Sequence, residues 1–157
     1  FVFFLPNTFY VITDFIHIDS GDFYTNIIIS YGHDSQVYMN NIQPYILLMH
    51  IVVSMFISVL AGIKGLLIFE EILVNKKIKI LHSFIAIVFL LFLSAVEIFI
   101  GRFIRLFSWD VLNPFNVVKS LIDHLDGFGI MFILLFFFVQ MLLYYGYKFL
   151  FFQKPTS

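Results

Sequence analysis

The sequence predicts an all-α fold, a polytopic bundle of about four membrane-spanning helices. Three observations carry this. The 157 residues are 61% hydrophobic and only 12% charged, whereas a soluble domain is nearer half apolar and a quarter charged. Mean hydropathy is +0.99, which means more apolar surface than a chain of this length can bury in one core. Three apolar runs also reach the ~20 residues that a bilayer-crossing helix needs.

Taken in order, residues 1–18 are expected to form a short fourth span carrying Pro6 and Asp14. Pro6 kinks such a helix by removing one hydrogen bond, unless the helix starts there with Pro6 in its first turn. The chain begins at Phe1 inside apolar sequence, as expected of a fragment with upstream residues missing. The long spans are residues 42–69, 78–103 and 128–152, with connections over 19–41, 70–77 and 104–127. No internal repeat or linker divides them, so residues 1–157 read as one integral membrane domain.

Lysine and arginine near span ends set orientation. Lys76, Lys77 and Lys79 crowd the short 70–77 loop and its edge, Lys148 and Lys154 close the chain, and residues 19–41 hold no Lys or Arg. The 70–77 loop and the C-terminus are therefore expected in the cytoplasm, with 19–41 and 104–127 outside. Arg102, Arg105 and Lys119 run against this asymmetry. The expected location is a cell membrane, crossed several times, and the first partner is the lipid bilayer. Net charge is −1, which gives no footprint for nucleic acid. There is no cysteine, which excludes disulfides and thiolate metal sites.

Polar residues near hydrocarbon are costly and generally face a bundle interior or a wet cavity. Asn7, Tyr10, Asp14 and His17 recur at steps of three and four residues, and so share one stripe if the segment is α-helical. The plain alternative places Asp14 and His17 among headgroups at a helix end. In the 78–103 span, Glu97 lies about one turn inside the boundary, Gly101 follows at i+4, and Arg105 falls near the same face. Arg102 points about 140° away from Glu97. Glu97 is thus expected to pair with Arg105 or with another helix, and Asp14 with either arginine, because an unpaired buried ion is expensive. Such pairs lock helices together. Alternatively, Arg102 and Arg105 clamp a phosphate or carboxylate in bidentate fashion. Trp109 suits an interfacial aromatic belt, Asn113-Pro114 reads as a turn, and Asp110 can brace it.

Metal binding is the weakest option. His17-x-Asp19, His33-Asp34 and Asp123-His124-x-Asp126 contain zinc-type ligands, but none forms a metalloenzyme motif. His50 and His82 have no acidic neighbours and read as packing residues. There is no GxSxG elbow and no Gly-rich phosphate loop, and no cofactor is indicated.

Two strings, LPNTFYVITDFIH at residues 5–17 and GRFIRLFSWDVLNP at 101–114, resemble an uncharacterised family of bacterial multi-pass membrane proteins, domain of unknown function thirteen sixty-one. The matching residues are Leu5, Pro6, Asn7, Tyr10, Thr13, Asp14 and His17, then Gly101, Arg102, Arg105, Ser108, Trp109, Asp110, Asn113 and Pro114. The resemblance implies a multi-pass fold over essentially the whole chain and carries no activity.

Three functions compete. The first is a protein that binds or processes an anionic lipid or a phosphate-bearing envelope precursor. In it Asn7, Tyr10, Arg102, Arg105, Trp109 and Asp110 form the binding site, and Asp14, His17 and Glu97 are candidate catalytic groups. The second is a structural or assembly subunit with a membrane-protein partner or a second copy, whose polar motifs are interhelical glue. The third is a small transporter with a Glu97, Asp14 and His17 relay, for which the cytoplasmic halves supply few matching polar groups and no inverted repeat is seen.

Overall fold

A computed structural model of the chain describes residues 4–19, 23–29, 33–104 and 113–151. Among these, five α-helices surround an apolar core, with one two-stranded hairpin between the first two helices. Helix α1 spans Leu5–Tyr10, α2 Gln43–Asn75, α3 Ile80–Phe99, α4 Pro114–His124 and α5 Gly127–Phe151. Three helices, not four, are long and apolar enough to cross a membrane: α2, α3 with its continuation to Ile104, and α5.

The first segment falls short for a local reason. Pro6 sits in the first turn of α1, where its missing N–H costs nothing. After six residues the chain tightens into a 3₁₀ helix over Val11–His17. Val11, Ile12 and Thr13 are three β-branched residues in a row, poor helix formers, and the Thr13 hydroxyl donates to the Tyr10 carbonyl at 2.6 Å. Together the two pieces run about 23 Å, short of the ~30 Å hydrocarbon layer. They lie against α2 and α3 instead, with Leu5 and Phe9 fully buried in the core.

Residues 19–41, expected as a plain connection, contain an antiparallel hairpin of β1 (Tyr24–Ile29) and β2 (His33–Tyr38), in register from Tyr24 opposite Tyr38 to Ile29 opposite His33. Phe23 packs edge-on to Tyr45 at 5.2 Å, tying the hairpin to the start of α2.

Helix α2 runs on past Phe69 to Asn75, so Glu70 and Glu71 are helical and the loop begins six residues later than expected. It ends in a Schellman motif. Lys77 is left-handed (φ 58), its N–H donates to Val74 O at 2.8 Å, and Ile78 N–H reaches back to Leu73 O at 3.2 Å. This satisfies carbonyls that the helix end would otherwise leave open.

Helix α3 packs antiparallel on α5 through ring pairs at successive levels: Phe84 with Tyr145, Phe92 with Phe137, and Phe99 with Phe132. The C-terminal end of α3 widens into a π-helical stretch, Ile100–Ile104. The core joins Leu5, Phe9, Val59, Ile63, Leu66, Ile87, Leu91, Ile98 and Tyr144. Large side chains such as Phe56, Phe89, Leu135 and Phe138 point outward, as lipid-facing surfaces do. Within the 104–127 connection, the described residues include α4.

Candidate functional site

The bundle has two ends. The α2–α3 loop and the C-terminal end of α5 lie together, and the π-helical stretch lies at the other end with α4 and the start of α5. Polar side chains gather at both.

At the second end the wide turn at Ile100–Ile104 presents Arg102 to α1 and its 3₁₀ continuation. A π turn shifts the phase of everything after it, a device frequent at functional sites. Arg102 Nη2 donates to the Thr13 carbonyl at 2.5 Å. Nη1 lies 3.4 Å from Tyr10 Oη and 3.6 Å from Asp14 Oδ1. The guanidinium also stands over the Tyr10 ring, 5.4 Å from its centroid. The Arg102 side chain is 13% exposed and that of Asp14 37%, and Arg102 Nε is buried without an acceptor among the described residues. Close by, Gly101 lies against Tyr10, whose ring would be in ordinary contact, 3.5 Å, with a Cβ there.

The expected stripe is therefore divided. Tyr10 and Asp14 converge on Arg102, joined by the backbone of buried Thr13. Asn7 and His17 are exposed and have no side-chain partner among the described residues. Glu97 is exposed and has no described partner. Its expected pairing with Arg105 lies outside the described residues, as do Arg105, Ser108, Trp109 and Asp110 themselves. Asp126 is not a ligand here but a cap, its Oδ1 accepting from Gly129 N–H at 2.7 Å. His124 Nδ1 lies 2.8 Å from Ser120 O on its own helix. Among the described residues no three His, Asp or Glu side chains gather to hold a metal ion.

The opposite end holds a cluster that sequence reasoning missed. Glu70 of α2 accepts from Lys148 Nζ at 2.6 and 2.7 Å and from Tyr144 Oη at 2.7 Å. One turn deeper on α5, Gln140 is fully buried, and neither amide atom has a partner among the described residues. Gln140, Tyr144 and Lys148 stand at i, i+4 and i+8 on one face, which was the available signal. Ser83 and Ser94 of α3 also bury hydroxyls without partners.

Three apolar helices of spanning length, with polar groups concentrated at the two ends, define the class: a multi-pass membrane helix bundle. Within that class the family model DUF1361, described as a protein of unknown function, matches residues 1–143, and the chain belongs to that family. The chain finds no match among curated proteins or among solved structures.

Proposed function

We propose that the Arg102 end is an anion-binding site for a lipid headgroup or lipid-linked envelope precursor, in which Asp14 is an exchangeable counter-ion. The observation that carries this is the state of the guanidinium. Of its five donors, one makes a short bond among the described residues, to the Thr13 carbonyl. Its contact with Asp14, at 3.6 Å, is an ion pair too long to be a hydrogen bond. A phosphate or carboxylate offering two oxygens would engage the fork better than Asp14 does. The half-exposed Asp14, with His17 one 3₁₀ turn beyond it, supplies the acid–base groups if the bound molecule is also processed. Arg105, Trp109 and Asp110 belong to this proposal by sequence. The Lys76, Lys77, Lys79 and Lys148 cluster at the far end supports an outward-facing site in a bacterial cytoplasmic membrane.

The test uses the purified chain in nanodiscs of phosphatidylcholine with phosphatidylglycerol, and native mass spectrometry to read lipid retention. Retention of the anionic lipid is expected to fall several-fold in Arg102→Lys and Arg102→Gln, and to rise in Asp14→Asn. Unchanged retention in all three overturns the proposal, as do wild-type lipid and cell-wall profiles in cells carrying Arg102→Ala and Asp14→Ala.

A second reading, a structural or assembly role, draws on the same bond to Thr13, which fastens the first segment to α3. It predicts lower protein abundance in Arg102→Ala with lipid retention unchanged in the protein that remains.

A further inference from the structure

We infer that α4 is an interfacial helix, seated in the bilayer surface at the Arg102 end with its apolar face among the acyl chains. Helix α4 divides cleanly around its axis. At 100° per residue, Val117, Leu121, Val118, Ile122 and Phe115 fall within an arc of roughly 160°, and Lys119, Asp123, Asn116, Ser120 and His124 occupy the rest. One edge of the apolar arc is covered: Leu121 packs on the Ala95, Phe99 and Ile133 cluster, which fixes α4 against the bundle. The remainder is open. Phe115 is 76% exposed, Ile122 66% and Val118 54%.

Three features of the structure point to the bilayer as what covers this face. First, α4 is joined to α5, a spanning helix, by Leu125 and Asp126 alone, and Asp126 is held as the cap of α5. So short a link keeps α4 at the membrane boundary. Second, the open face is continuous in sequence with the outward-facing Phe128 and Met131 of α5, which a spanning helix turns toward lipid. Third, Lys119 borders the apolar arc beside Phe115, where its stem lies along apolar surface while the ammonium reaches a phosphate. Lys119 and Asp123 cancel in charge, so apolar insertion holds α4 and anionic lipid is not required. That separates this inference from the anion site at Arg102, which does require it.

The chain has no cysteine, so single cysteines can carry a spin label in the full chain without a background. Labels at Phe115→Cys, Val118→Cys and Ile122→Cys are compared with Asn116→Cys, Lys119→Cys and Asp123→Cys, in nanodiscs of pure phosphatidylcholine. Collision with oxygen, relative to a water-soluble nickel complex, is expected to be several-fold higher at 115, 118 and 122, oscillating with helical period. It is expected to stay so when phosphatidylglycerol is added. Three outcomes overturn the inference. They are the absence of oscillation, nickel access at 115, 118 and 122 equal to that at 116 and 123, and low access to both reagents at 115, 118 and 122. The last would mean that protein, such as a second copy, covers the face. Phosphatidylglycerol dependence at Arg102 with no oscillation here would leave the anion site standing alone.

Discussion

Replacing Lys148 by Met tests whether the cluster at the α2–α5 end holds the bundle together. Met keeps most of the apolar stem and removes the ammonium. Glu70 would then keep Tyr144 and lose two contacts of 2.6 and 2.7 Å. Removing one partner of a fully buried pair costs about 3–5 kcal/mol, while an exposed pair contributes only about 0.2–1 kcal/mol. Here the side chains are 37% and 22% exposed for Lys148 and Glu70, so solvent screens the pair substantially and a cost of about 1.5 kcal/mol follows. For a chain of this size that corresponds to a fall of roughly 3–6 °C in the unfolding midpoint. Glu70→Gln alone should cost a similar amount, because it leaves Lys148 facing a neutral amide. The double variant Glu70→Gln/Lys148→Met should lose less than the sum, with a coupling of about 1 kcal/mol. Midpoints of the four proteins, measured in one detergent by loss of the monodisperse chromatographic peak on heating, give the cycle. Additive losses, or no loss in Lys148→Met, would refute the reasoning and make the cluster a solvated surface pair.

Gly62→Ala should destabilise the bundle by about 1 kcal/mol, since overpacking outweighs the gain in helix propensity. A Cβ there meets Thr8 Oγ1 and stands 3.3 Å from Phe9 Cε2. Gly146→Ala, with nothing within 4 Å of its Cβ, should raise the midpoint instead; the two together test how the first segment packs on α2. Lys77→Gly removes a left-handed side chain from the Schellman turn and should stabilise by about 1 kcal/mol, read as a higher midpoint. Gln140→Leu should be neutral or stabilising, because it removes a buried amide without partners; a large loss of stability would mean that the amide is hydrogen-bonded in the membrane. In the hairpin, Tyr24 titrates above its ordinary range, first because of its hydrogen bond with Tyr38. The neutral phenol should therefore persist to higher pH, and Tyr38→Phe should bring the midpoint down in a carbon-13 tyrosine titration by NMR.

The spans were legible because the bilayer demands length and apolarity, and both are written plainly in residues 42–69, 78–103 and 128–152. Their ends were less legible. Glu70 reads as the point where a span meets water, yet α2 continues because Tyr144 and Lys148 hold the carboxylate against the bundle. That depends on a helix some seventy residues away in sequence. Residues 1–18 read as a span by hydropathy, but Val11-Ile12-Thr13 breaks the α-helix, and hydropathy is blind to helix type. The hairpin and α4 had local signals that went unused. Ile27, Ile28 and Ile29 form a β-branched run between Gly21 and Gly32. Pro114 opens a segment with apolar residues at 115, 118 and 122.

At the candidate site, sequence spacing put Tyr10 and Asp14 on one stripe and left Asp14 free to pair with either Arg102 or Arg105. Arg102 reaches Asp14 from the π turn, which no residue pattern announces, and binds the Thr13 carbonyl, which belongs to the backbone and so to no motif. The same limit hid the other end, where the ladder Gln140, Tyr144 and Lys148 looks like ordinary helix residues until Glu70 stands opposite. The two ends differ chemically in a way that bears on function. The Glu70 carboxylate is closed, with Lys148 on both oxygens and a fully buried tyrosine bound to it. Among the described residues the Arg102 guanidinium has one short bond, a loose counter-ion and a buried N–H lacking an acceptor. In the proposed reading, the bundle is fastened at one end and exchanges an anion at the other. Among the described residues, the polar side chains that the spanning helices bury fully are Gln140, Ser83 and Ser94, set in a core of Leu, Ile and Phe, which is a thin basis for a relay. The anion site therefore accounts for more of the geometry than the relay does.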